Sequence, residues 1–555
     1  MDKMNSYVCG TSDQPLIFET IGGAFDKAVE QWADKEAIVV CHQKIRWSFR
    51  QLGEAVDAFA AGLLALNLEP VDRIGIWSPN NVEWVIAQFA TAKSGLILVN
   101  INPAYRKGEL SYTLKKVGCK ALILAREFKT SNYVAMLREI APTIDSSVSG
   151  QLNLAELPDL RSLIVISDDA INGMFRFADI AAMAAADALE QLAFRALASQ
   201  PDDAINIQFT SGTTGLPKGA TLTHFNVLNN GYFVGQAMKF TEHDRLCIPV
   251  PLYHCFGMVM SVLTSVLHGA TMVFPSEAFE PKATLEAVSE EKCTALQGVP
   301  TMFIAELEDP DFDQFDLSHL RTGIMAGAPC PIEVMRKVIS DMNMDEVTIA
   351  YGMTETSPVS FQSATDDPLE KRVSTVGRIH PHVQVKVVDE QGAVVPRGTS
   401  GELCTRGYSV MLGYWDDEEQ TDEAIDEAGW MHTGDLAVID DDGYCDIVGR
   451  GKDMIIRGGE NIYPREIEEY LFQHPKIQEV AVFGIPDEKY GEAVVAWIKV
   501  REGESMDADA VREYCNEQIA YYKVPKHICI VDEFPMTVTG KIQKFIMREQ
   551  TINNL

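Results

Sequence analysis

Short apolar runs rich in β-branched residues alternate with amphipathic stretches along most of this chain. Strands are predicted at residues 37–40, 73–77, 95–100, 121–125, 162–167, 204–209, 271–274 and 347–350, with helices such as 48–66 and 82–93 between them. Strands joined by helices pair in parallel and stack in layers, so this alternation predicts layered α/β sheets. At 555 residues the chain exceeds what one core usually supports, and several packed units are expected.

The second half of the chain changes character twice. After Gly377, shorter strands separated by Gly and Asp turns are predicted at residues 383–388, 401–405 and 446–449, which indicates a β-rich subdomain. From about residue 453 a final unit has its own alternation, with helices at 464–472 and 508–518 and strands at 479–483, 493–500 and 527–531. We therefore predict the α/β class: a large N-terminal domain of layered α/β sheets with a β-rich subdomain, then a small mobile α+β C-terminal domain.

Three segments depart from the main pattern. Residues 141–160 lack clear periodicity and gather Pro, Ser and Gly, so we expect a polar surface excursion. Residues 180–197 are alanine-rich and amphipathic, which predicts a packing helix. Residues 246–276 carry no charge, but prolines and glycines interrupt them repeatedly. There we expect a buried helix at 258–267 and a strand at 270–274, and no integral membrane segment.

Composition narrows the partners and the location. The chain has 47 basic and 80 acidic side chains, a net charge of −33, which argues against nucleic acid or anionic membrane as a main partner. The 11 cysteines are scattered without a C-x-x-C pair, as is typical of reduced thiols rather than disulfides or a zinc site. The amino terminus has no secretory or transit pattern and the carboxyl terminus no retention or peroxisomal tag, so we expect a cytoplasmic protein. A homodimer stays open.

One decapeptide is built to hold phosphate. It reads Thr210-Ser211-Gly212-Thr213-Thr214-Gly215-Leu216-Pro217-Lys218-Gly219 and follows an apolar strand. Glycines let successive backbone N–H groups turn toward one anion, the hydroxyls add donors and Lys218 adds a charge. It is not the common P-loop, because Pro217 stands where the second glycine is needed and Gly219 where Ser or Thr is needed.

This decapeptide resembles the ATP-phosphate loop of the adenylate-forming superfamily, which includes acyl-CoA synthetases, luciferases and peptide-synthetase adenylation domains. Further motifs follow in the order of that family, so the resemblance covers nearly the whole chain, from about residue 18 to 546. The nucleotide-binding residues that it implies are Thr210, Ser211, Gly212, Thr213, Thr214, Lys218, Gly327, Ala328, Pro329, Tyr351, Gly352, Asp435 and Arg450.

Individual roles follow from the same resemblance. In Tyr351-Gly352-Met353-Thr354-Glu355-Thr356, the tyrosine is expected to pack on adenine, Thr354 to contact the α-phosphate and Glu355 to hold Mg²⁺. In Trp430-Met431-His432-Thr433-Gly434-Asp435, the aspartate is expected to accept both ribose hydroxyls. Arg450 should reach ribose or phosphate.

The end of the chain resembles the mobile catalytic part of this family. Pro535-Met536-Thr537-Val538-Thr539-Gly540-Lys541 is similar to the loop that delivers the catalytic lysine, whose charge would bridge the carboxylate and the α-phosphoryl oxygens. Lys452 occupies the position about which the terminal domain pivots. The implied organisation is an AMP- and acyl-binding domain at 1–449, a hinge at 450–453 and a mobile catalytic domain at 454–555.

The resemblance implies a two-step reaction that uses ATP, Mg²⁺, a small carboxylic acid and coenzyme A. The carboxylate first displaces pyrophosphate to give an acyl-adenylate, and the thiol of coenzyme A then displaces AMP. The segment Ile455 to Pro464 is similar to the acyl-CoA synthetase version of the loop after the hinge, in which Gly458, Gly459 and Glu460 would bind coenzyme A. His254 is similar to the gate between the acyl and pantetheine sites.

The acyl pocket is expected to be mainly apolar and without a charged anchor. Its lining by family likeness is Cys255, Met258, Val259, Gln297, Val299, Thr301, Ala326 and Val359. These residues favour a fatty acid, most similar to the medium-chain branch, over an amino acid. An aryl or short- or branched-chain acyl-CoA ligase, a free-standing amino-acid adenylation enzyme and a non-catalytic acyl-AMP-binding protein stay as alternatives.

Overall fold

The computed structural model describes residues 4–210, 217–457, 460–487, 489–516, 518–537 and 540–554. Within them, one layer of the N-terminal part is a nine-stranded sheet whose six central strands run parallel and whose outer pairs are antiparallel. In spatial order its strands are Arg378–Ile379, Val359–Gln362, Glu346–Gly352, Thr322–Ala326, Ala295–Gly298, Arg245–Cys247, Thr271–Phe274, Glu36–Val40 and Ile45–Ser48.

A second layer is an eight-stranded sheet in which six strands are parallel and the last two are added antiparallel. In spatial order its strands are Phe175–Arg176, Ser162–Ile166, Ala121–Ala125, Arg73–Trp77, Ile97–Asn100, Ala204–Thr210, Lys218–Thr223 and Gly413–Tyr414. The largest apolar cluster joins both sheets through the helices between them, with Ile38, Ile76 and Trp84 all buried in it. These layers confirm the predicted α/β class.

Two smaller sheets complete the fold, together with a two-stranded ribbon of Glu127–Phe128 and Ser131–Asn132. The β-rich subdomain is an antiparallel sheet with the order Tyr7–Cys9, Val383–Val388, Gly401–Gly407, Met431–Ile439 and Cys445–Arg450. The last part of the chain forms a sheet with the order Glu460–Ile462, Ile455–Arg457, Gly491–Val500 and Ile477–Asp487, and His527–Ile530 adds parallel to Gly491–Val500.

Several helices begin where the sequence supplies a capping side chain. Ser48 accepts the N–H of Gln51 at 3.3 Å while the side chain of Gln51 accepts the N–H of Ser48 at 2.9 Å, and this capping box starts the first long helix. The α-helices are Ile21–Gln31, Phe49–Leu64, Val82–Lys93, Lys107–Lys116, Tyr133–Ile140, Phe177–Ile180, Ala188–Ala198, His224–Ala237, Cys255–Gly257, Thr264–His268, Pro281–Glu290, Pro300–Leu307, Ile332–Asp341, Leu369–Ser374, Glu418–Ala424, Pro464–Phe472, Ala508–Cys515 and Lys544–Asn554. Within the described ranges, none of them combines the length and the apolar character that crossing a bilayer requires.

Two predicted segments differ from the observed fold. Residues 141–160 were expected as a polar surface excursion, yet four leucines of this segment are buried in the cluster beneath the eight-stranded sheet, namely Leu152, Leu154, Leu157 and Leu160. The segment packs against the core through these side chains, although their irregular spacing has neither the helix nor the strand period. The helix predicted at 180–197 is interrupted, because a 3₁₀ turn at Ala181–Met183 separates Phe177–Ile180 from Ala188–Ala198.

Parallel strands end on one side of each sheet, and the predicted site residues follow those ends. Thr210 closes the strand Ala204–Thr210, Gly327 follows Thr322–Ala326 and Gly352 closes Glu346–Gly352. Ligands of open α/β sheets bind outside the carboxyl ends of the strands. The topology therefore gathers distant parts of the sequence at one edge of the molecule.

Buried histidines make the fold sensitive to acid. Burial lowers the pKa of His224 to about 4 and that of His380 to about 3, whereas an unfolded chain would protonate each near 6.5. Below pH 6.5 the unfolded state binds more protons, so stability is complete above that pH and falls as the pH drops. Between pH 7 and pH 5 the free energy of unfolding should fall by about 2 kcal/mol less in His380→Gln than in wild type. Urea unfolding at both pH values measures this difference. The exposed His243→Gln is the control, and an equal pH dependence in wild type and His380→Gln would contradict the assignment.

Candidate active site

The ends of the predicted phosphate loop lie side by side. Thr210 and Lys218 pair in register where the strands Ala204–Thr210 and Lys218–Thr223 run antiparallel. The predicted contacts at Ser211, Gly212, Thr213 and Thr214 fall outside the described residues. The two strand ends that flank these residues therefore lie beside each other.

Glu355 accepts hydrogen bonds from two hydroxyl groups. It sits in the 3₁₀ turn Thr354–Thr356 and is 6% exposed. Thr210 Oγ1 donates to Glu355 Oε1 at 3.2 Å, and the hydroxyl of Tyr414 donates to the same oxygen at 2.9 Å. A carboxylate offers about four lone-pair sites, so these two bonds leave acceptor capacity, and hard oxygen ligands of this kind suit Mg²⁺.

Tyr414 is a site residue that sequence reasoning missed. Besides its bond to Glu355, its ring lies 5.0 Å from Lys218 Nζ, a cation–π distance. Burial and the neighbouring Glu355 raise the pKa of the Tyr414 phenol, which keeps it a donor. The signal in the sequence was the aromatic pair Tyr414-Trp415 after Gly413, which no catalytic motif singled out.

Two glycines in the predicted nucleotide site are fixed by close approach or by conformation. A Cβ on Gly352 would lie 1.8 Å from the carbonyl oxygen of Pro358, so no other residue fits without a backbone shift. Gly327 has φ +86°, in the region that favours glycine, and Ala328 and Pro329 follow it in the turn.

Asp435 meets two other predicted nucleotide residues. The hydroxyl of Tyr351 donates to Asp435 Oδ2 at 2.5 Å, and Arg450 Nε lies 3.2 Å from Oδ1. Burial and Asp435 raise the pKa of Tyr351 well above its usual range, so the phenol remains protonated. Strand register explains the second contact, because Asp435 and Arg450 are paired across Met431–Ile439 and Cys445–Arg450. The structure thus brings together three residues that are far apart in the sequence.

The loop of Lys541 reaches the N-terminal part of the molecule. Thr301 Oγ1 donates to the carbonyl oxygen of Gly540 at 3.3 Å, and within the loop the Lys541 N–H bonds to Thr537 Oγ1 at 3.0 Å. Burial, and to a lesser extent the charge of Lys541, lower the pKa of His254 to about 4. His254 is therefore neutral at physiological pH, and its Nδ1 accepts the N–H of Phe256 at 3.2 Å. A further contact between the two parts is the ion pair of Arg465 with Asp446 at 2.8 Å.

The predicted acyl-pocket residues lie mostly in one buried apolar cluster, which contains Cys255, Met258, Val259, Val299, Ala326 and Val359. Residues Met258–Leu263 form a π-helix, a rare element that is frequent at functional sites. Ser261 of this helix bonds to Gln297 Oε1, which ties the helix to the strand Ala295–Gly298. The predicted helix at 258–267 is thus present, but its first part has π rather than α geometry.

Buried amides border this cluster and were not anticipated. Asn100 Nδ2 and Gln208 Nε2 donate to Met258 Sδ at 3.4 and 3.5 Å, and Gln88 Nε2 donates to the Met258 carbonyl at 3.3 Å. Asn100 ends the strand Ile97–Asn100, and Gln208 lies within Ala204–Thr210. A buried polar residue in an apolar strand is itself a signal. The predicted lining therefore adjoins uncharged polar groups.

The predicted hinge and coenzyme A residues are described in part. Lys452 lies in the 3₁₀ turn Gly451–Asp453, and its side chain is outside the described part of the chain. Gly458 and Gly459 also fall outside the described residues. Glu460 begins the strand Glu460–Ile462, which pairs with Ile455–Arg457.

Comparison with known proteins agrees with this geometry. Residues 25–415 match the family described as AMP-binding enzyme, and residues 466–541 match the AMP-binding enzyme C-terminal domain. The medium-chain acyl-CoA ligase ACSF2, mitochondrial, of Danio rerio is 47% identical over 553 residues, which cover 99% of this chain and 91% of that protein. The Bos taurus protein of the same name is 45% identical over 559 residues, with 99% and 90% covered.

A solved structure shows the same overall fold. The anthranilate CoA ligase AuaEII in complex with anthranoyl-AMP matches with a TM-score of 0.85 and 26% identity over 98% of this chain and 99% of that one. The family match spans most of the chain and includes the motifs around Glu355, and the relatives align over almost its full length. The chain therefore belongs to the AMP-binding enzyme family.

Proposed function

We propose that this protein is an ATP-dependent, AMP-forming carboxylic acid–CoA ligase that converts a medium-chain fatty acid through an acyl-adenylate to an acyl-CoA. The observation that carries this proposal is the convergence of Glu355, Asp435 and the Lys541 loop at one edge of the sheets. Relatives named medium-chain acyl-CoA ligases at 45–47% identity support the substrate class.

Nucleotide binding would use the residues around Glu355 and the residues around Asp435. Adenine would pack on Tyr351, and the ribose hydroxyls would donate to Asp435 beside Arg450. The loop that runs from Thr210 to Lys218 would bind the phosphates. Glu355 would hold Mg²⁺, which when bound neutralises phosphate charge. Thr354, adjacent in the same turn, would contact the α-phosphate.

The chemistry consists of two displacements. A carboxylate oxygen of the acid forms a bond to the α-phosphorus as the bond to pyrophosphate breaks, and Lys541 would stabilise the charge that develops there. The thiolate sulfur of coenzyme A then bonds to the acyl carbon as AMP leaves. Pantetheine would pass Gly458, Gly459 and Glu460 and meet the acyl group beside His254, with residues 450–453 as the hinge between the domains 1–449 and 454–555.

Selectivity for the acid would come from burial of methylenes, because the pocket residues offer no charged anchor. Each buried CH₂ contributes about 0.8 kcal/mol, so kcat/KM should rise roughly fourfold per carbon until the pocket is full, at about six to twelve carbons. Ala326→Leu places a larger side chain on the pocket wall and so narrows the pocket. It should shift the optimal acyl chain length down by about two carbons, measured with a series of acids from butyrate to myristate.

A neighbouring residue provides the control for this experiment. Met325, on the same strand, points into the other apolar cluster, so Met325→Leu should leave the chain-length profile unchanged. An unshifted optimum in Ala326→Leu would remove Ala326 from the pocket wall.

An aryl-CoA ligase is the second candidate, since the anthranilate CoA ligase shares the fold at 26% identity. A competition assay between octanoate and benzoate separates the two, and preference for benzoate would overturn the aliphatic proposal. Short- or branched-chain acids are tested in the same panel. An amino-acid adenylation enzyme would release pyrophosphate with amino acids, and a non-catalytic acyl-AMP-binding protein would release none with any acid.

The proposal places the protein in the cytoplasm. All 11 cysteines are free thiols, as a reducing compartment requires. Light scattering, which measures the molar mass in solution, tests whether the protein is a homodimer. The relatives named above carry the word mitochondrial in their names, so fractionation of the native cell is the test of location.

A further inference from the structure

The strand that carries Asp435 is bulged at the site. Along the pairing of Gly401–Gly407 with Met431–Ile439, Glu402 faces Leu436 and Cys404 faces His432. One residue of the first strand therefore stands opposite Thr433, Gly434 and Asp435 of the second. Gly434 has φ +69°, in the left-handed region. A bulge of this kind re-aims a side chain and interrupts the ladder of backbone hydrogen bonds.

Glu402 provides a hydrogen-bond acceptor for a backbone N–H at the interrupted part of the ladder. Its Oε1 accepts the N–H of Gly434 at 3.3 Å, and its Oε2 lies 3.0 Å from Nδ1 of His432. A single carboxylate thus bridges the apex of the bulge and the residue that precedes it. The Cys404 thiol, 3.6 Å from the same Nδ1, has its pKa raised to about 12 by burial and by Glu402, so it stays a neutral thiol.

Thr433 fixes the other side of the bulge. Its hydroxyl donates to the carbonyl oxygen of Leu403 at 2.7 Å and accepts the N–H of Asp435 at 3.1 Å. With the backbone held at Gly434 by Glu402 and at Asp435 by Thr433, the Asp435 carboxylate is directed at Tyr351 and Arg450. Recognition of this type depends on side chains whose backbone is held in place before the ligand arrives.

We infer that Glu402 is a positioning residue for ribose recognition: it holds the bulge so that Asp435 presents both carboxylate oxygens to the ribose hydroxyls. The inference rests on the proposed function, in which Asp435 binds ribose. In this proposal Glu402 acts through the backbone at Gly434 and is not one of the residues assigned to nucleotide contact.

The test compares AMP with 2′,3′-dideoxy-AMP, which lacks the hydroxyls. Isothermal titration of wild type should show tighter binding of AMP, and Asp435→Asn should abolish most of that preference. Glu402→Ala should lower the preference by about tenfold while changing the affinity for dideoxy-AMP by less than about twofold. Glu402→Gln should retain most of the preference, because its amide oxygen can still accept the Gly434 N–H.

A matched control and a second variant keep the test decisive. Glu36 also bridges two partners, Arg46 and Arg245, at 24% side-chain exposure in the nine-stranded sheet, so Glu36→Ala should leave the preference unchanged. Should Glu402→Ala not fold, Glu402→Asp keeps the charge but shortens the reach, and should lower the preference several-fold.

The outcomes separate the inference from its premise. Equal weakening of AMP and dideoxy-AMP in the Glu402 variants would show a merely structural role and overturn the inference. An intact preference in Glu402→Ala, with loss in Asp435→Asn, would also overturn it while leaving the proposed function in place. If wild type itself shows no preference, Asp435 does not bind ribose, and the nucleotide assignment fails together with the inference.

Discussion

Lys541→Ala should slow formation of the acyl-adenylate by about two or more decades, the loss expected when a preorganised electrostatic group is removed from a transition state. The contact of this loop with the N-terminal part supports the role, because Thr301 donates a hydrogen bond to the Gly540 carbonyl. The charge of Lys541 also helps to lower the pKa of His254. Thioester formation from supplied acyl-AMP should survive, since the anhydride bond between the carboxylate and the α-phosphate is already formed in that substrate. Pyrophosphate release and acyl-CoA formation from acyl-AMP are measured separately.

The control for this prediction is another lysine of the same part of the chain. The half-exposed side chain of Lys526 forms an ion pair with Asp487, a type of contact with little energetic weight, so Lys526→Ala should leave both half-reactions unchanged. Equal loss of both half-reactions in Lys541→Ala would refute the role proposed for Lys541.

Lys452→Pro should have the opposite effect to Lys541→Ala: it should impair thioester formation and spare adenylation. Lys452 lies in a 3₁₀ turn, whose usual φ of about −50 to −70° matches the φ of about −65° that proline imposes. Proline should therefore preserve the observed arrangement, in which the Lys541 loop contacts Thr301, and hinder rotation away from it. We expect acyl-AMP to form at a near-normal rate while acyl-CoA output falls by about tenfold or more.

The same pair of assays measures this second variant. Lys452→Ala, which keeps backbone freedom, should retain both activities and serves as the control. If Lys452→Pro slows both half-reactions or neither, the hinge lies elsewhere in the chain.

Much of the fold follows from periodicity, and the failures have a common cause. The strand Arg73–Trp77 and the helices Val82–Lys93 and Pro464–Phe472 were predicted with the bounds observed, because each is a continuous run with one period. The prediction for residues 141–160 was wrong because the four buried leucines of this segment are spaced irregularly, without the period of a helix or a strand. Tertiary burial of that kind leaves no local signature.

The site shows the same division. Motif residues such as Glu355 and Asp435 could be named from the sequence because they lie in distinctive strings of residues. Tyr414 and Glu402 could not, since each acts through strand register: Tyr414 reaches Glu355 across 59 residues, and Glu402 lies opposite a bulge. Register between distant strands depends on the whole sheet and is invisible in a short window of sequence.

The central claim is that one active site performs adenylation and then thioester formation on a medium-chain acid. It is tested most directly by mixing the wild-type enzyme with ATP, Mg²⁺ and octanoate, and following AMP, pyrophosphate, octanoyl-AMP and octanoyl-CoA by quenched flow and mass spectrometry. Without coenzyme A, we predict about one equivalent of octanoyl-AMP and of pyrophosphate per site, and on addition of coenzyme A, steady turnover with equal yields of octanoyl-CoA and AMP. Absence of pyrophosphate release with octanoate, or octanoyl-AMP that coenzyme A does not discharge, would contradict the account.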